Sequence, residues 1–375
     1  MDLRPLLLDR PRSEQTRGRH ELAEAIAHGT LVKVHRGWYA SAAEYEQLHL
    51  EDRHLMRVLA VADSMRGGNA VFSHSSAAVL WGLPLYRSPP ARVHTTFAGP
   101  VETPSSAAIM RHRDALPEED VVDRHGIRCT SLERTVIDVA RTTRMEAALA
   151  AMDAAFRLVA WDDATRTYAE SRARHLRARL WARLAKMPGR RGVRQARMVV
   201  ELADGRAQLP GESVSRLYLI TLGFAPRLQV EVAGPGVGAF FVDFGLDEVG
   251  AWGEFDGEAK YTDPRFTGGR SREEIMVSQA LRQQWIERTT GRRFARWGSA
   301  HLDSELALAA RLARFGIRPP LPVPRAAKGQ IPAGATCGNL PFRDSGSGDQ
   351  EPGTPSADSS TGDGSTVVTV PPSTA

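Results

Sequence analysis

Apolar positions near the front of the chain fall first at helical and then at strand spacing. In "GRHELAEAIAHGTLVKVHRGWYA", Leu22, Ala23 and Ile26 share one helical face, and His28-Gly29 stops the run. "LVKVHRGWYA" then alternates like two strands crossing a turn at Arg36-Gly37. A helix, a glycine and a basic two-strand wing are how a winged helix-turn-helix ends. A small helix–hairpin with a solvated basic tip fits the same residues, and Lys33 and Arg36 stand on that tip. "NAVFSHSSAAVLWGLPL" predicts a strand, an N-cap at Ser73 or Ser75, and a short helix ended by Gly82 and Pro84. "RVHTTF" is a β-branched run, hence a strand. "TSLERTVIDVAR" offers a capping box at Thr130-x-x-Glu133, with Leu132, Val136 and Val139 on one helical face. His74 has no histidine, cysteine or carboxylate at ligand spacing, so it reads as structural.

From Arg172 to Arg197 the pattern is helical and there are nine arginines and one lysine with no acid. A solvated helix face explains such a run, and so does phosphate contact, since cations release counterions from a duplex. The absence of interleaved acids favours contact. Arg190, Arg191 and Arg194, beside the break "MPGRRG", are the candidates there.

Next, "LPGESVSRLYLITLGF" predicts a compact helix, with Pro210 at its start, Gly223 at its end and Glu212 in its first turn. "LQVEVAG", "GVGAFFVDFGL" and "AWGEFDG" alternate as three strands, with "LDEVG" closing a hairpin between the last two. Alternation puts Phe240, Val242 and Phe244 on one face with Asp243 opposite, and Trp252, Glu254 and Asp256 on one face. Asp243, Glu254 and Asp256 are therefore expected to converge. Three carboxylates so placed repel unless a cation joins them, and oxygen ligands suit Mg²⁺ or Mn²⁺. Such an ion activates water for attack on a phosphodiester, with Lys260 available to stabilise charge. An exposed Asp-Gly turn is the plainer alternative. A helix with Ile275, Ala280, Leu281 and Trp285 inward, a strand "RRFARWG" and a short helix complete the pattern.

Composition narrows this picture. At 375 residues the chain has room for two or three domains. A net charge of +5 permits a polyanion partner without demanding one. Two distant cysteines exclude a disulfide framework and a cysteine-based zinc site, and no run resembles a signal peptide or membrane span, so a cytoplasmic protein is expected. The end of the chain, rich in Ser, Thr, Gly, Pro and Asp, has little to bury and is expected to be disordered.

With these motifs in hand, residues of about 208 to 305 resemble the Vsr-like branch of the PD-(D/E)XK nuclease superfamily, through "PGES", "VDFGL", "GEFDGEAKY" and "LRQQWIERTTGRRFARW". The resemblance implies that Asp243 is the metal aspartate, Glu254 the acid of the next strand and Glu212 the acid of the first helix. Asp256 stands where that superfamily has its lysine, with Lys260 as a migrated replacement. The upstream half resembles the AbiE-type antitoxin family, through "LVKVHRGWYA", "FSHSSAAVLWGLPL" and "IRCTSLERTVIDVAR". The expected fold class is α+β. It comprises a partial winged-helix region over 1–60, an antitoxin-like α/β region over 61–160 and an arginine-rich helical linker over 161–209. A restriction-endonuclease-like α/β sandwich over 210–318 and a disordered tail over 319–375 follow. The expected function is a DNA-binding, Mg²⁺-dependent endonuclease-like protein with an antitoxin-type N-terminal half. The alternative is a non-catalytic DNA-binding antitoxin or regulator of an abortive-infection toxin–antitoxin system, with a nucleotidyltransferase-like toxin encoded beside it. A third reading is a basic module that meets an acidic protein.

Overall fold

The computed structural model describes residues 19–65, 70–99, 104–257 and 271–320, all within one compact unit that ends at Ala326. Lys260 and the expected tail from 321 onward lie outside the described residues. The fold is mixed α+β, and among the described residues no helix is long and apolar enough to cross a membrane.

The chain opens with α1 (Arg19–Ala27) and the antiparallel pair β1 (Leu31–His35) and β2 (Trp38–Ser41). Gly29 and Gly37 both adopt positive φ, 69° and 78°, which is why glycine stands at each reversal. After α2 (Ala42–Gln47) and α3 (Leu50–Ser64), a small core of Ala40 and Met56 packs with Val32, Val34 and Trp38, fastening the hairpin to α3.

A five-stranded sheet follows, built from β3 (Val71–Phe72), β4 (Val93–Phe97), β5 (Ile109–Arg113), β6 (Val121–Arg124) and β7 (Ile127–Thr130), in the order β5-β4-β3-β7-β6. The helix α4 (His74–Leu80) leaves directly from β3 with Ser73 as its N-cap residue. The helix α5 (Leu132–Thr142) is capped by Ser131, whose hydroxyl accepts from the Arg134 amide, and not by the expected box at Thr130. Thr130 is the last residue of β7, and its hydroxyl lies 2.7 Å from that of Thr135.

The next elements are α6 (Met145–Ala160), the short pair β8 (Trp161–Asp162) and β9 (Thr167–Tyr168), α7 (Glu170–Ala185) and α8 (Val193–Leu202). On α7, Ala173, Leu176, Leu180 and Leu184 form a buried stripe at helical spacing. The arginine-rich stretch is thus packed against the core along one face and charged along the other.

The C-terminal region runs α9 (Pro210–Thr221), β10 (Arg227–Ala233), β11 (Ala239–Leu246), β12 (Ala251–Phe255), α10 (Arg272–Thr290), β13 (Arg293–Trp297) and α11 (Glu305–Ala313). Its sheet has the order β10-β11-β12-β13. The first three strands are antiparallel, and β13 lies parallel to β12. That parallel pairing requires a crossover, which α10 supplies. Two glycines make room for aromatic rings, one between α9 and the sheet and one within the sheet. A Cβ on Gly211 of α9 would fall 2.2 Å from the Phe255 ring, and one on Gly253 would fall 2.4 Å from Trp297.

Two details differ from the sequence pattern. Leu281 and Trp285 of α10 are exposed, at 62% and 40%, whereas Ile275 and Ile286 are buried. Ala280, also expected inward, is exposed. The inward seam steps through Ile275, Gln279, Arg282 and Ile286, and its two polar members answer polar groups on the sheet. On β11, Phe240 and Val242 pack with Trp252 and Ile286, while Phe244 joins the larger core beside Trp297. The strand therefore changes the layer it serves near Asp243. The larger core is continuous from Val58 to Ile317, so α6, α7, α8 and α9 share one interior.

Candidate functional site

The carboxylates of the C-terminal region separate into two environments. Glu212 and Asp243 are buried and meet through Gln229, whose Nε2 donates to Glu212 Oε2 and Asp243 Oδ1, both at 3.3 Å. Gln229 holds positive φ, 49°, which is uncommon for a residue with a side chain. The second oxygen of Asp243 accepts from the Phe255 amide at 3.0 Å, and Glu212 Oε2 also accepts from the Gln208 amide at 2.9 Å. These bonds tie the start of α9 to β10, β11 and the end of β12.

Glu254, also buried, is engaged by arginines. Arg282 of α10 donates to its Oε1, and Arg296 of β13 lies 3.1 Å from Oε2. Arg282 also donates to the Phe241 carbonyl at 2.5 Å, and Arg296 to Gln279 Oε1 at 3.2 Å. The polar members of the inward seam of α10 therefore serve to hold Glu254 and its arginine neighbour. Asp256 is half-buried, and its amide donates to the Trp297 carbonyl at 2.8 Å. Among the described residues, Asp243, Glu254 and Asp256 are not a group whose oxygens all lie within 4.8 Å of one another.

The candidate basic residues fall on two surfaces. Lys33 on β1 and Arg36 in the following turn are exposed. Along the arginine run, acids absent from the local sequence arrive from elsewhere in the fold. Arg179 pairs with Glu133 at 2.8 Å, Arg183 with Asp120 at 2.5 Å and Arg190 with Asp114 at 2.9 Å. Arg134, almost fully buried on α5, also binds Asp114 at 2.7 Å and Asp138 at 2.8 Å. Burial would raise the Asp114 pKa, but the Arg190 hydrogen bond and the Arg134 charge hold it below the usual carboxylate range. Arg190 thus closes a network around α5, while Arg191 and Arg194 remain exposed beside it together with Arg172, Arg174 and Arg197.

One constellation escaped the sequence pattern. His74, His94 and His112 bring ring nitrogens within 4.8 Å of one another, although they are 20 and 18 residues apart in the chain. They come from the start of α4, from β4 and from the edge strand β5. Only the pairing of β4 with β5 and the exit of α4 from β3 join them, so no local motif announces the group.

Over 239 residues the chain is 29% identical to "Uncharacterized protein Rv2248" of Mycobacterium tuberculosis (strain ATCC 25618 / H37Rv), a match covering 64% of this chain and 78% of that relative. "Uncharacterized protein MT2308" of strain CDC 1551 / Oshkosh matches to the same extent. Residues 69–188, which carry the five-stranded sheet and helices α4 to α7, match the family described as AbiEi antitoxin C-terminal domain.

Proposed function

We propose that this chain is a DNA-binding antitoxin-type regulator whose C-terminal region keeps a nuclease-like topology as scaffold. The family match over 69–188 supports a toxin–antitoxin-related, DNA-binding role. The observation that carries the non-catalytic reading is the double pairing of buried Glu254 with Arg282 and Arg296. Both oxygens of this carboxylate already engage a guanidinium, so a divalent ion there must share or displace those partners, and two adjacent positive charges oppose its approach. DNA would be gripped through phosphates by Lys33 and Arg36 at the wing and by Arg191 and Arg194 beside α8. Such contacts position a protein and carry no sequence information by themselves. An adjacent nucleotidyltransferase-like toxin is the partner this role expects.

Fluorescence anisotropy with the chain's own promoter fragment tests the proposal. Retardation and anisotropy changes that survive EDTA and resist competitor DNA are expected. Equal affinity for promoter and competitor overturns operator recognition.

A second reading, a Mg²⁺- or Mn²⁺-dependent endonuclease, is favoured by the gathering of Glu212, Gln229 and Asp243 where a helix, three antiparallel strands and a crossover helix meet. Metal-dependent nicking of plasmid DNA that vanishes in Asp243→Asn would establish it over the first reading.

A further inference from the structure

We propose that His74, His94 and His112 form a three-nitrogen site for a late first-row transition ion, Zn²⁺ foremost, on the antitoxin-like region. This site is separate from the carboxylates of the C-terminal region and uses different donor chemistry. Imidazole nitrogens suit Zn²⁺, Cu²⁺ and Ni²⁺, whereas Mg²⁺ and Mn²⁺ prefer oxygen.

The geometry is close to that of a ligand set. His94 Nδ1 lies 3.0 Å from His112 Nε2. Around a tetrahedral Zn²⁺ with Zn–N of about 2.0–2.1 Å, neighbouring nitrogens stand roughly 3.3 Å apart. Opening that contact by a few tenths of an ångström suits the pair, and the His74 and His112 rings, stacked with 18° between their planes, must also turn so that their in-plane lone pairs converge on the ion. The His74 and His112 rings stack at 4.0 Å between centroids, and His94 lies 5.1 Å from His112 and 5.5 Å from His74. Three protein nitrogens leave a fourth position for water or an anion.

The His74 ring is oriented as an outer-shell partner orients a ligand, and the His94 backbone is fixed beside it. His74 Nδ1 lies 3.0 Å from Ser73 Oγ, which accepts from Thr96 Oγ1 at 2.7 Å. The remaining nitrogen of His74, Nε2, is the one left for the ion. The His94 backbone amide donates to Ser76 Oγ at 2.8 Å, and His54 Nε2 lies 2.9 Å from the same hydroxyl. His74 also holds positive φ, 53°, at the first turn of α4. That conformation is uncommon outside glycine and persists only where surroundings over-determine it, which is frequent at ligand sites.

Electrostatics supply neutral ligands. Burial, with the neighbouring histidines, lowers the pKa of His74 well below its ordinary value and that of His94 to about 4. Burial first and Arg92 second lower that of His112. One of His94 Nδ1 and His112 Nε2 carries the hydrogen of their 3.0 Å contact, so that ring must shift to its other tautomer when an ion binds. Arg92, Arg134 and Arg141 add positive potential, with Asp114 opposing it at His112. That field opposes a bare dication, so an anion or hydroxide as the fourth ligand is needed to offset it.

The test titrates the full chain, stripped with EDTA, with Co²⁺ and Zn²⁺. Saturation at one equivalent is expected, with the intense visible bands of four-coordinate Co²⁺ that excess Zn²⁺ erases. His94→Gln and His112→Gln should abolish the bands, and Thr96→Val should weaken binding about tenfold. His175→Ala, at an exposed position, should leave binding unchanged. Absence of one-equivalent uptake by the unaltered chain overturns the proposal, as does uptake that survives either glutamine substitution. Should those variants fail to fold by circular dichroism, X-ray absorption of the Zn²⁺-loaded unaltered chain decides. Three imidazole nitrogens in a four-coordinate shell support the site, and a six-coordinate oxygen shell overturns it.

Discussion

Asp153 of α6 and Arg216 of α9 form a two-bonded ion pair, with both oxygens 2.8 Å from Arg216 Nη2 and both side chains withdrawn from solvent. Asp153 also accepts from the Asp204 amide at 2.8 Å, and Arg216 donates to the Leu202 carbonyl at the end of α8. The pair therefore joins the antitoxin-like region, the arginine-rich helices and the first helix of the C-terminal region. Removing one partner leaves the other charge buried. Asp153→Ala or Arg216→Met should each lower unfolding free energy by about 3–5 kcal/mol, read from urea midpoints. Asp153→Leu combined with Arg216→Met should lose less than either single change. Strictly additive losses would contradict this account.

Exposed and network arginines should separate under mutation. Arg191→Glu and Arg194→Glu should weaken DNA binding across all sequences. Each lost phosphate contact should reduce the log–log salt slope by about 0.9. Lys33→Glu and Arg36→Glu should do the same at the wing. Arg190→Ala should act mainly on stability, through its bonds to Asp114, with little change in the salt slope. Anisotropy titrations over a range of salt concentrations, alongside thermal melts, separate the two classes.

Overpacking at Gly211 provides a steric test. Its added Cβ would meet the Phe255 ring, which is itself buried. Gly211→Ala should destabilise by about 1–3 kcal/mol, and Phe255→Leu in the same chain should recover part of that loss. A neutral Gly211→Ala variant would mean that α9 does not ride on β12 as described.

Acid should unfold the protein partly through its buried histidines. Burial lowers the His54 pKa to about 3, with Arg57 and His94 adding to the effect. Between the unfolded value near 6.5 and about 3, the unfolded chain binds the proton and the native one does not, so stability falls as pH falls. Above about 6.5 the contribution is constant. The slope for one such group is at most about 1.4 kcal/mol per pH unit. His54→Gln should flatten the pH profile of the urea midpoint across this window.

Local signals carried the elements well. The stop at Gly29, the turn at Gly37, the proline-led start of α9 and the glycine after it were legible because each depends on φ or on a missing amide. Non-local pairing was less legible. The α10 periodicity pointed to Leu281 and Trp285, because apolar spacing does not reveal that Gln279 and Arg282 turn inward toward partners on the sheet. The arginine run looked free of acids because Asp114, Asp120 and Glu133 lie outside it in sequence. The two arginines that engage Glu254 come from α10 and β13, 28 and 42 residues further along the chain, so no local pattern announced them. The histidine trio depends on strand order alone.

The continuous interior from Val58 to Ile317 has a consequence for how this protein tolerates change. A cut between α8 and α9 would expose, on each fragment, a surface shaped for the other, and a shortened product would be open to proteases. Selection acting on α6 therefore preserves α9 and the sheet behind it. Chemistry at the carboxylates can lapse while the region that bears them is retained, because its removal would unfold its neighbour.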